Sequence, residues 1–321
     1  MTINSPLSQR RPVPDGPLTR ISPMKRFLSC CRKAANVGLL PLLLTGIAGP
    51  SYAQQAFSSP DAAAAAFVDA LATNDPDALG RVLGTDWRRY IPTAGVDMDD
   101  VYAFLAGWAK THKIVSNDAS TAHLAVGTAE WTLPIPIVKR GDAWRFDTRA
   151  GADEIRTRRI GRNELAAMAA SLAYYDAQKE YALADRDGDG ALEYAQRIVS
   201  TPGERDGLYW AALPGEQASP LGPLFGDDAR GSGYHGYHYK ILKGQGSNAP
   251  GGAYDYRIKG RMVSGFALVA WPASYGDTGV MTFMVSHDGK LYEQDLGPGT
   301  ATAARAMTRF DPGPGWQQVA P

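Results

Sequence analysis

The chain has 321 residues, with 33 Lys and Arg against 33 Asp and Glu, and 44% of its positions are hydrophobic. That composition is ordinary for a globular protein and excludes collagen, coiled coil and extended disorder, while the length suggests about two domains. The neutral total conceals a basic leader: residues 1–53 hold Arg10, Arg11, Arg20, Lys25, Arg26, Arg32 and Lys33 against Asp15, and the remainder, with 26 basic and 32 acidic residues, has no basic stripe with which to bind nucleic acid.

Lys25, Arg26, Arg32 and Lys33 precede an apolar run over residues 37–47. Gly49-Pro50 breaks the run, and Ser51-Tyr52-Ala53 places small residues where a signal peptidase reads them. The pattern predicts a secretory signal peptide over residues 1–53, cut between Ala53 and Gln54, with an extension upstream of Met24 if translation starts at Met1. The run is too short for the roughly 20 residues of a spanning helix. Both cysteines, Cys30 and Cys31, lie before it, so the mature chain is expected to have no disulfide, thiolate nucleophile or Cys-ligated zinc. No later stretch holds about eighteen consecutive apolar residues. The expectation is a soluble periplasmic or secreted protein with no membrane span after signal cleavage.

Residues 54–155 read as a small α+β domain. Ser58-Ser59-Pro60-Asp61 caps an alanine-rich helix with Phe67, Val68 and Leu71 on its apolar face. Asn74-Asp75-Pro76-Asp77 caps a second helix over 78–83, and a third spans 97–108. Short strand patterns follow at 122–125, 128–133, 135–139 and 144–148, with Gly141-Asp142 as a turn. Helices first and an antiparallel sheet after, with the early Asn-Asp turn and the late Trp144-Arg145-Phe146-Asp147-Thr148 strand, resemble the nuclear-transport-factor-2/SnoaL-like cone. The resemblance implies a small-molecule pocket, for which His112, Asp118, His123 and Glu130 are candidates. The simpler reading of such residues near turns is a solvated surface. Arg156, Arg158, Arg159 and Arg162 form the one basic cluster, and nearby Asp147, Asp153, Glu154 and Glu164 predict internal ion pairs for it.

Residues 156–321 read as a second α+β domain. A helix over 163–184 carries Leu165, Met168, Leu172, Tyr175 and Ala182 at helical spacing, flanked by Tyr174 and Tyr181. An acidic loop follows. Asp185, Asp187 and Asp189 alternate, Gly190 stands sixth and Glu193 ninth, which is most of a calcium loop. Alternate carboxylates in a tight loop converge on one point, as a hard cation with six to eight oxygen ligands requires. The twelfth position is Gln196 rather than glutamate, so either Glu193 closes a weak structural calcium site or the loop is a polar turn. Strands are predicted at 237–242, 253–258, 265–271, 279–286 and 290–295, with a hairpin turn at His287-Asp288-Gly289-Lys290.

No nucleophile elbow, zinc-protease helix or P-loop occurs, so no cofactor site is assigned. His235 and His238 point to opposite faces of a strand. Tyr234, Tyr237, Tyr239, Tyr254 and Tyr256 either pack across strands or present a face for a peptide or glycan. The leading reading is a non-enzymatic envelope binding or assembly module whose partner is an envelope protein, peptide or glycan. The other is an envelope hydrolase using Asp206 with Glu204, or Asp277 with His287.

Long motifs carry a more specific resemblance. The runs FDTRAGADEIRTRRIGRNEL, YALADRDGDGALEYAQRIVSTPGERDGLYW and GFALVAWPASYGDTGVMTFMVSHDGKLYEQDLG resemble the bacterial domain-of-unknown-function 2950 family over nearly all of the mature chain. The resemblance implies a secreted or periplasmic protein of Gram-negative bacteria and brings no activity. Residues 163–297 loosely resemble type IV pilin-like and pseudopilin heads, which implies a long helix packed on an antiparallel sheet, often with a calcium loop. The pilin start sequence is missing, so this chain would not polymerise as a pilin does.

Overall fold

The first helix begins where a serine can cap it. In the computed structural model, which describes residues 53–93, 96–129, 131–188, 190–213, 215–222 and 233–320, the Ser59 hydroxyl accepts from the Ala62 amide at 3.1 Å and starts α1 (Pro60–Ala72). Asp75 caps α2 (Pro76–Leu83) by accepting from the Asp77 and Ala78 amides. A short α3 (Trp87–Tyr90) follows, and a capping box of Asp97 and Asp100 opens α4 (Met98–Lys110). The expected leader, residues 1–53, lies almost wholly outside the described residues.

β1 (His112–Ser116), β2 (Thr121–Val126), β3 (Trp131–Thr132), β4 (Ile137–Arg140) and β5 (Ala143–Phe146) form an antiparallel sheet ordered β1-β2-β4-β5, with β3 on β2. β1 was not anticipated; its burial pattern lacks an apolar alternation. Phe67, Val82, Leu83, Trp87, Leu124, Ile137 and Phe146 make the first core, and Phe57 closes it by pairing its backbone with Trp144. Gln54 is already tied in, its side-chain amide donating to the carbonyls of Val82 and Phe146.

The long helix, α5, spans Thr148–Tyr181 rather than 163–184. Asp147 caps it through the Ala150 amide, and its first half is polar, laced by Asp153–Arg156 and Glu154–Arg158 pairs. Such a segment has no apolar stripe for periodicity to find. The boundary expected between residues 155 and 156 therefore falls inside one helix. α5 is anchored along its length: Arg158 donates to the Thr132 carbonyl and hydroxyl in the first sheet, Arg159 pairs with Asp277, and Asn163 donates to the Thr278 carbonyl. The basic cluster thus forms predicted internal pairs through Arg156 and Arg158, whereas Arg159 finds a distant partner in Asp277.

The buried face of α5 matches the predicted stripe only in part. Met168 is buried and Leu172 and Tyr175 pack against the core, but the face runs through Ala167, Ala170, Ser171, Tyr174, Ala177, Gln178 and Tyr181, while Leu165 is 65% exposed. Small residues let the helix approach the sheet closely. The buried polar groups bond across the contact, Tyr174 Oη donating to the Ala267 carbonyl at 3.2 Å.

After the acidic loop come β6 (Tyr237–Leu242), β7 (Gly244–Gln245), β8 (Tyr254–Asp255), β9 (Arg257–Ile258), β10 (Arg261–Met262), β11 (Ala267–Pro272), β12 (Met281–Ser286), β13 (Leu291–Asp295), α6 (Thr300–Ala306) and β14 (Gln317–Val319). The second sheet is antiparallel in the order β14-β13-β12-β11-β6, and no strand pairing between described residues joins it to the first. β7–β8 and β9–β10 are small ribbons beside it. α5 and α6 both pack on β11, and all six of its residues are buried, so the strand has no wet face. Among the described residues the architecture is α+β, with two five-stranded sheets, two cores and one shared helix.

Candidate functional site

The acidic loop leaves α5 past a C-terminus that it caps itself. Arg186 folds back and donates to the Tyr181 and Glu180 carbonyls, placing a cation against the negative end of the helix dipole. This offsets the repulsion between the loop acids and the helix end. Asp185 turns into its own loop, accepting from the Gly188 amide at 2.8 Å and the Gly190 amide at 2.9 Å. Gly188 and Gly190 hold φ of 77° and 85°, the left-handed region that glycine enters without strain. Asp189 lies outside the described residues.

The loop exit is fastened to three places. The Tyr194 amide donates to the Met262 carbonyl, Ala195 exchanges two hydrogen bonds with the Gln178 side chain, and Gln196 Nε2 donates to the Gly260 carbonyl at 2.8 Å. The twelfth position of the calcium-loop pattern therefore serves the β9–β10 turn.

Below the loop lies a pocket of about 300 Å³ lined by Tyr181, Asp187, Glu193, Arg197, Asp206 and Lys243, with Ala195 and Gln196. Tyr181 Oη donates to the Arg205 carbonyl at 2.8 Å. Burial pushes the Tyr181 phenol upward in pKa, and the negative charges of Asp187, Glu193 and Asp206 push it further. Asp206 comes from a second loop, which a backbone bridge between Val199 and Tyr209 folds on itself. Partial burial works to raise its pKa, but the Thr201 amide at 2.7 Å, the Thr201 hydroxyl at 2.8 Å and Arg197 at 3.4 Å outweigh that, and the carboxyl sits below its ordinary value.

Three of the four predicted metal ligands lie among the described residues. Asp187 and Glu193 line the pocket, whereas Asp185 engages loop amides. Asp206, Tyr181 and Lys243 join the site without a local sequence signal, because they stand on three different segments. Among the described residues, no group of three His, Cys, Asp or Glu side chains is placed to hold a metal ion.

Other sequence candidates disperse. Glu204 is exposed and does not line the pocket with Asp206. Asp277 precedes β12 and pairs with Arg159, while His287 follows β12 among Tyr254, Tyr256 and Phe266, so the strand separates them. The tyrosine patch belongs to the core: Tyr237, Tyr239 and Tyr256 are buried, and Tyr237 Oη donates to the Met281 carbonyl. Tyr234 and Tyr254 are half-buried at its edge. His238 packs on Trp271, and His235 sits in the preceding turn at φ 51°. In the first unit His112 stacks on Trp108 at the start of β1. Asp118, its carboxyl held low by the Ser120 amide, follows the other end of that strand. His123 lies on β2, and Glu130 is outside the described residues.

The family model described as "Protein of unknown function (DUF2950)" matches residues 54–319, and the chain belongs to that family. No curated protein and no solved structure matches it.

Proposed function

We propose that the protein is an exported, soluble component of the cell envelope, periplasmic or secreted, acting as a non-enzymatic binding or assembly module for an envelope protein, peptide or glycan, with a calcium-stabilised acidic loop. The observation that supports the calcium reading is that Asp187, Glu193 and Asp206 line one pocket with Tyr181. Negative potential at a partly buried point attracts a cation, and the Asp206 carboxyl, despite partial burial, is held below its ordinary value by its bonds from Thr201. Asp185, Asp187, Asp189 and Glu193 would hold the ion. Export is supported at residue 54, where the family match begins and where Gln54 makes its first tertiary bonds, one residue past the expected cut.

The finer fold likenesses belong to the same reading. Helices before a small sheet support a nuclear-transport-factor-2-like first unit, and a long helix on an antiparallel sheet supports a pilin-like second one.

The test is thermal melting of the exported protein in calcium and in chelator. Stabilisation of about 2.7 kcal/mol is expected at a hundredfold excess of calcium over its dissociation constant. Asp187→Ala should abolish the shift and still fold. An unchanged melting point with millimolar calcium, and no heat on titration, reduces the loop to a polar turn. Mass spectrometry that finds the leader intact on the protein sinks the export reading.

A further inference from the structure

We propose a second, oppositely charged site: a pocket of about 340 Å³ between β6, β7, the β8–β9 segment and the stretch after α6, which binds a small oxyanion-bearing molecule through Lys240, Lys243, Arg257 and Arg309. Four cations face a single carboxylate, Asp255, across this pocket.

Two of the cations are oriented by neutral carbonyls rather than by carboxylates. Lys240 Nζ donates to the carbonyls of Arg305 and Met307, both at 2.6 Å, at the C-terminal end of α6. Arg309 Nη1 donates to the carbonyls of Gln245 and Tyr254, both at 3.0 Å, across the β7–β8 ribbon. One edge of that guanidinium is thereby fixed while its other donors remain for a ligand. Arg257 is drawn toward Asp255, which also accepts from the Arg257 amide, at an ion-pair distance of 3.7 Å. Among the described residues the Lys243 side chain has no comparable backbone anchor, and Lys243 lines this pocket as well as the acidic one.

Gly244 keeps the floor low. A Cβ there would stand 2.8 Å from Arg309 Nη1 and 2.9 Å from the Tyr254 carbonyl, so any side chain would displace the arginine. The Thr308 side chain completes the lining.

Planar guanidinium forks and lysine ammoniums in one concave patch match the oxygens of phosphate or carboxylate groups, and two or more such groups on one ligand would engage cations from opposite walls. The volume suits a molecule larger than a single inorganic anion. The site does not rest on a cation in the acidic loop.

Isothermal titration with inorganic pyrophosphate and with citrate tests the assignment on the purified protein at low salt. Saturable binding of one or both is expected, weakened by salt as partly exposed charges require. Lys243→Gln/Arg257→Gln should weaken it about tenfold or more with the melting point preserved, since neither side chain holds backbone. Lys110→Gln/Lys139→Gln removes two exposed charges elsewhere and should leave it unchanged. Preference for pyrophosphate or for citrate assigns the ligand to phosphate or carboxylate chemistry. Failure of both probes at millimolar concentration overturns the proposal. So does equal weakening by the two double variants, which marks general surface charge.

Discussion

Gln178 and Ala195 hold each other through a closed pair of hydrogen bonds: Gln178 Nε2 donates to the Ala195 carbonyl and the Ala195 amide donates to Gln178 Oε1, each at 2.8 Å. Both residues are buried, and the same Nε2 reaches Tyr174 Oη at 2.9 Å. A helix side chain thus imitates a strand edge and pins the exit of the acidic loop to α5. Gln178→Leu keeps the volume but leaves the Ala195 amide and carbonyl unpaired, a cost of about 2–5 kcal/mol. Calorimetry should show the melting temperature fall by roughly 5–15 °C. A fall of only a degree or two would mean that water or a shifted backbone satisfies Ala195.

Alkaline pH should unfold the second unit. Burial pushes the phenols of Tyr174, Tyr237 and Tyr256 well above the ordinary tyrosine value. A raised folded pKa means stability that is fully present below the unfolded value near pH ~10 and is lost as pH rises toward the folded one. With these three phenols and Tyr181 protected, the loss is about 5 kcal/mol per pH unit above that point. Tyrosinate absorbance should rise in two stages, exposed tyrosines first and these four only with the loss of circular-dichroism signal. A single early stage for all tyrosines contradicts the burial.

Glu164 caps a strand from a helix. Its Oε1 accepts from the Val280 and Met281 amides at 2.9 and 3.0 Å. Glu164→Ala should cost about 1–3 kcal/mol by leaving both amides without that acceptor. Burial raises the Glu293 carboxyl and the Glu164 charge raises it further, so Glu164→Gln should lower the Glu293 pKa. Because the folded value is raised, the Glu293 contribution is present in acid and lost as pH rises through the folded pKa; the glutamine variant should lose less. Carboxyl titration by NMR reads the shift, and an unmoved Glu293 would leave burial as its whole cause.

Gly207 stands where its chain crosses another at contact distance. A Cβ there would lie 2.7 Å from the Ser200 amide nitrogen and 2.8 Å from the Val199 carbonyl carbon, both backbone. Gly207→Ala should cost about 1–3 kcal/mol as an overpacking change. The neighbouring Asp206 is held by Thr201 in the same crossing, so the variant should also weaken any calcium-dependent melting shift. Wild-type stability in the variant would show that the crossing yields freely.

The residue order by itself determined what acts over a few positions. Ser59, Asp75 and Asp97 start their helices because a side-chain oxygen reaches an amide two or three residues on. The hairpin at 287–290 joins β12 to β13 as its turn residues require, and the family match rests on the same linear motifs. Only the tertiary structure decided the rest. The first half of α5 is held by arginine contacts with two sheets, which no apolar period announces. Its buried face is Tyr174, Gln178 and Tyr181 because bonds across the interface make polar atoms cheap to bury there. The tyrosines of β6 and β8–β9 became core because α5 and the aromatic ring cluster cover them. Asp206 lines one pocket with Asp187 and Glu193, and Arg309 lines another with Lys240, across separations that no local spacing encodes. Caps and alternation are energies of neighbours in sequence, whereas a pocket's charge is the sum over whatever distant segments the packed core brings to one place.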